Sequence, residues 1–155
     1  MKLAAKTFTP STADLPFTDA GASEDSGMAN KPGEPAFQLW LDVKKVVFPT
    51  TSEPSYVNLR LHNPTDKRIT FKVRCTSAEL FRVQPPIAFI NAGATVNLVM
   101  WSANTHLQPE KKHYFAFYHK NASPSARQSP PLWKDGLKDA EGVRRIPVVF
   151  LPPSS

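Results

Sequence analysis

Sixteen prolines and only six glycines punctuate this 155-residue chain. A proline inside a helix removes a backbone hydrogen bond and crowds the preceding turn, at a cost of about 3 kcal/mol. Prolines recurring along the length argue against a helical bundle and favour a loop-rich β fold. The chain is 41% hydrophobic and 21% charged, which suits one ordinary domain with a real core plus a tail. No apolar run approaches the ~18 residues of a membrane span. The start, Met1-Lys2-Leu3-Ala4-Ala5-Lys6, lacks the apolar region of a secretion signal. Cys75 is the one cysteine, so no internal disulfide forms and a reducing, cytoplasmic setting is expected.

Charge divides the chain. Residues 1–35 carry three lysines against five carboxylates, a net −2, and the remainder carries 16 basic and 8 acidic side chains, a net +8. Residues 1–35 are rich in Ser, Thr, Ala, Pro, Gly and Asp without a sustained period. They read as a disordered, dispensable leader ahead of a domain at 36–155.

Within that domain a period of two dominates. Phe37, Leu39 and Leu41 alternate with Gln38, Trp40 and Asp42. Val57, Leu59 and Leu61 share one face of a strand, and Ile69, Phe71, Val73 and Cys75 share one face of the next. Asn63-Pro64-Thr65-Asp66 turns the chain between them. Short strands are expected at 46–48, 81–83 and 87–90, then at 96–101, 113–119 and 146–151. Pro-rich loops separate them. About eight short strands with regular turn signals imply an all-β, immunoglobulin-like β-sandwich of two antiparallel sheets. Pro85 and Pro86 stand at a sharp strand break, and one of the bonds Gln84-Pro85 and Pro85-Pro86 is predicted to be cis.

The residue types that carry catalysis are not assembled. His113 and His119 share strand parity but lack a third ligand, so they read as surface strand residues and no metal or other cofactor is expected. Cys75 belongs to an apolar alternation and reads as a small core residue. No Gly-rich phosphate loop, serine elbow or carboxylate pair appears, so the chain is not expected to be an enzyme. Lys72, Arg74 and Arg82 lie near aromatic residues, but the pattern of RNA-binding sheets is missing and no nucleic-acid partner is expected.

One stretch is more specific. From Asn63 through Thr76, and again at Phe81-Arg82-Val83-Gln84-Pro85-Pro86 and Ile90-Asn91-Ala92-Gly93, the sequence resembles a major sperm protein (MSP) domain. The resemblance spans about residues 36–151. It implies an interaction module of one of two kinds. The VAMP-associated proteins of the endoplasmic reticulum bind peptides with two phenylalanines in an acidic tract. The nematode sperm proteins dimerise and assemble into filaments that move the cell. Trp133 followed by Gly142-Val143-Arg144-Arg145-Ile146-Pro147 is similar to the nematode branch, and the absence of a membrane anchor and coiled coil points the same way. The expectation is therefore a cytoplasmic filament subunit or filament-associated accessory protein of the sperm cytoskeleton. Its partners would be itself, as a homodimer, or other MSP-type proteins. The alternative is a soluble adaptor for acidic peptides. By resemblance its peptide site comprises Lys72, Arg74, Thr76, Tyr114 and Ala116. Cys75 replaces the usual Thr, while Tyr114 and Ala116 stand where the peptide-binding branch has Lys and Met. Losing that cation and that adaptable side chain should weaken such binding. The plainer reading of Lys72 and Arg74 is a charged strand face that keeps an edge soluble.

Overall fold

The computed structural model describes residues 17–20, 28–103 and 112–152. Nine strands are formed among them: β1 (Trp40–Leu41), β2 (Val46–Pro49), β3 (Ser55–His62), β4 (Ile69–Cys75), β5 (Phe81–Gln84), β6 (Ile87–Ile90), β7 (Thr95–Ser102), β8 (Tyr114–Asn121) and β9 (Gly142–Leu151). They form a four-stranded sheet in the order β1-β3-β7-β5 and a five-stranded sheet in the order β2-β9-β8-β4-β6. The alternating residues behave as their period demands. Leu59 and Leu61 of β3, Phe71 and Val73 of β4, Leu98 and Met100 of β7, and Phe115 and Phe117 of β8 are buried between the sheets. Phe48 and Phe81 complete an aromatic centre, their rings stacked at 6.0 Å. Each such side chain contributes about 1.5–3 kcal/mol by leaving water.

The Gln84-Pro85 peptide is cis, as predicted. It lies where the chain leaves β5 of one sheet and enters β6 of the other.

Three expectations are corrected. The sheets are not wholly antiparallel, because β2 runs parallel to β9, Val46 opposite Val148 through Pro49 opposite Leu151. The last strand begins at Gly142 rather than Ile146. Arg144 and Arg145 hid its first half, since charged residues are poor markers of a covered strand. His113 and His119 are not surface residues; they are 7% and 1% exposed. His119 points inward from β8, where its Nε2 accepts the backbone N–H of Gln38 at 2.9 Å.

Two polar residues organise loops from within. Asn63 is fully buried; its Nδ2 donates to the carbonyls of Lys67, Ile90 and Asn91, and its Oδ1 accepts from the N–H of Thr65. The 3-10 turn Pro130–Trp133 pins the long loop before β9. Trp133 Nε1 donates to Thr70 Oγ1 at 2.9 Å, and the Ser129 hydroxyl bonds the same oxygen.

The described parts of the leader touch the sandwich in two places. Phe17 lies 5.3 Å from the ring of His62 and 6.1 Å from that of Trp40, and Asp19 accepts the N–H of Leu41. Met28 bridges to Arg145, and Pro35 accepts the N–H of Val143. Glu34 forms a two-pronged ion pair with Arg145.

Candidate functional site

The outer face of the five-stranded sheet collects the residues singled out in the sequence. On β4 the core takes Phe71, Val73 and Cys75, so Lys72 and Arg74 must point away from it. On β8 the core takes Phe115 and Phe117, so Tyr114, Ala116 and Tyr118 share the opposite face. The register then matches Lys72 with Tyr118 and Arg74 with Ala116, while Thr76 donates its N–H to the Tyr114 carbonyl. All five expected positions therefore lie on one continuous face.

They are not equivalent. Arg74 and Thr76 are exposed, Lys72 and Tyr114 are half-buried, and Ala116 is only 3% exposed. Thr76 Oγ1 is bonded to His113 Nδ1 at 2.8 Å and receives the N–H of Tyr114, so it fixes the start of β8. Lys72 and Arg74 pair with no carboxylate among the described residues.

Arg145 of β9 belongs to the same face and was missed in the sequence. It lies opposite Ala116, so Arg74, Ala116 and Arg145 form one row across three strands. Its guanidinium is 5.9 Å from the centre of the Tyr114 ring. Glu34 grips it with bonds of 2.7 and 2.8 Å, and this pairing pulls the Glu34 carboxyl down to about 2. The run Arg144-Arg145 was visible as charge, but only strand register shows that Arg145 flanks Ala116.

The opposite sheet has a different surface. Tyr56 and Trp101 are 58% and 42% exposed and lie side by side, their ring centroids 5.2 Å apart. Arg82 of β5 continues that row beyond Trp101. Near it, Pro54, Cys75, Leu80, Phe81 and Trp101 line a cleft of about 820 Å³. Burial raises the Cys75 thiol above its ordinary value, which keeps it neutral rather than nucleophilic. Among the described residues no three His, Cys, Asp or Glu side chains converge as metal ligands. No described helix is long and apolar enough to cross a membrane.

The two sheets define an immunoglobulin-like β-sandwich domain, and comparison with known proteins identifies its family. The family model for the MSP (major sperm protein) domain matches residues 41–142, and the chain belongs to that family. A Caenorhabditis elegans protein described as uncharacterized is 41% identical over 161 residues, covering 87% of this chain and 86% of its own length. The vesicle-associated membrane protein-associated protein B of Rattus norvegicus is 32% identical over 99 residues, covering 63% of this chain and 41% of its own. Among solved structures, WR4, a C. elegans MSP family member, superposes with a TM-score of 0.61 at 16% identity, covering 74% of this chain and 99% of that one. That likeness is one of fold.

Proposed function

We propose that the chain is a cytoplasmic unit of the nematode sperm cytoskeleton, either a filament subunit or an accessory protein that docks on filaments. Family membership supplies the interaction module, and the higher identity to a nematode relative favours this branch. The observation that carries the reading is the exposed Tyr56–Trp101 pair. Paired aromatic rings on a strand face offer the apolar contact that interfaces favour. They lie on the sheet opposite the basic face, so one molecule presents two separate surfaces. Open assemblies need contacts that do not close on themselves, and two distinct faces supply them. Sedimentation velocity over a concentration series tests it. Association should rise with concentration in the wild-type chain and fall in Tyr56→Ser/Trp101→Ser. A chain that stays monomeric throughout sinks the subunit form of the proposal.

The second reading is an adaptor for acidic peptides. It is favoured by Lys72 and Arg74, two cations without carboxylate partners among the described residues, on the face they share with Tyr114 and Ala116. Charge-assisted contacts there would capture an acidic tract, with Tyr114 and Ala116 lowering the affinity.

A further inference from the structure

We propose that Glu34 is a built-in occupant of the basic face, a leader carboxylate that an acidic peptide must displace from Arg145. The inference rests on the adaptor reading of that face and adds its regulation.

Four observations support it. Arg145 shares the row of Arg74 and Ala116, so its guanidinium belongs to the surface an acidic tract would meet. Glu34 takes both terminal nitrogens of that guanidinium in the fork geometry an incoming carboxylate would use. The Nε of Arg145 is buried and makes no hydrogen bond among the described residues, so Glu34 does not exhaust the arginine's donors. The segment holding Glu34 is lightly attached. Residues 28–33 are exposed, and the segment meets β9 through the Met28–Arg145 bridge and the Val143-to-Pro35 bond of 3.2 Å.

Local structure aims the carboxylate. Glu34 N–H donates to the Lys31 carbonyl at 3.1 Å, and Gly33 takes a φ of +86°, which a side chain would disfavour. Lys31 N–H donates back to Glu34 Oε1 at 2.7 Å. The turn thus presents a carboxylate already oriented for Arg145. Being tethered, it competes at high effective concentration without needing high intrinsic affinity.

The test uses the full chain and a synthetic peptide with two phenylalanines in an acidic tract, titrated by fluorescence anisotropy at several salt concentrations. Glu34→Gln should tighten binding by about three- to tenfold, the worth of one released, partly screened ion pair. That gain should vanish when Glu34→Gln is made in an Arg145→Gln background. Equal affinity for wild type and Glu34→Gln, with binding still lost in Lys72→Glu/Arg74→Glu, would overturn the proposal and leave the adaptor reading standing. No binding to either protein overturns both. Should Glu34→Gln not fold, Glu34→Asp replaces it, because a carboxylate one methylene shorter cannot hold both nitrogens. Unchanged affinity in that variant also overturns the proposal.

Discussion

The imidazole of His119 occupies the space that a side chain at position 142 would need. A Cβ on Gly142 would come within 2.0 Å of His119 Nε2. The two residues face each other across β8 and β9, and the missing side chain leaves room for the ring, whose Nε2 accepts the N–H of Gln38.

Gly142→Ala should therefore destabilise the domain by about 1–3 kcal/mol, through a displaced ring and a lost hydrogen bond. Urea unfolding checks this. A change of midpoint within error would mean that the ring moves aside freely.

The same histidine gives stability a pH dependence. Burial depresses its ionisation from 6.5 to about 4, with the Glu141 carboxylate offsetting part of the effect. The unfolded chain therefore takes up the proton first. Stability from this group is full above about pH 6.5 and falls as pH drops towards 4, by at most about 3 kcal/mol. The Glu34–Arg145 pair loses its contribution in a lower window, below the ordinary carboxyl value of 4.5 and down to about 2. Melting curves at pH 7, 5.5 and 4.5 should show a steady fall in wild type and a flatter profile in His119→Gln.

How far the sequence revealed this arrangement depended on whether a residue obeys a period or a partner. Leu59, Phe71 and Leu98 were legible because alternation alone decides which face a strand residue takes. Lys72 and Arg74 were separated from the core for the same reason, whereas Tyr114 and Ala116 came from the family resemblance and joined that face through strand register. His119 and Arg145 were not legible. Each is a polar residue whose burial is licensed by a distant partner, the Gln38 N–H in one case and the Glu34 carboxylate in the other. Asn63 was read as a turn residue, whereas two of its three carbonyl partners, Ile90 and Asn91, lie on a segment that only the folded chain brings near.

Thr70→Val should cost about 2 kcal/mol while conserving shape, because the Trp133 N–H and the Ser129 hydroxyl lose their shared partner. Hydrogen exchange should show the loss concentrated in the loop before β9. Uniform loss of protection across both sheets would argue against a local role for this cluster.

Truncation separates the leader's parts. A chain beginning at residue 28 should melt slightly below wild type, because Phe17 leaves His62 and Trp40 and the Leu41 N–H loses Asp19. One beginning at residue 36 should melt lower by about another 4–8 °C, because Arg145 loses its carboxylate and β9 loses its contacts with Met28 and Pro35. Equal melting temperatures for the two would show that Glu34 adds nothing to the fold.

The parallel pairing of β2 with β9 also bears on synthesis. Residues 46–49 find their partners at 148–151, about a hundred positions further along. Much of the chain must leave the ribosome before that rim of the five-stranded sheet can form. Contacts so distant in sequence are slow to close, and partly folded chains with open strand edges are prone to associate wrongly. A nascent chain halted short of residue 148 is thus expected to retain an unpaired β2, whose Val46 and Phe48 would be exposed to chaperones and neighbouring chains.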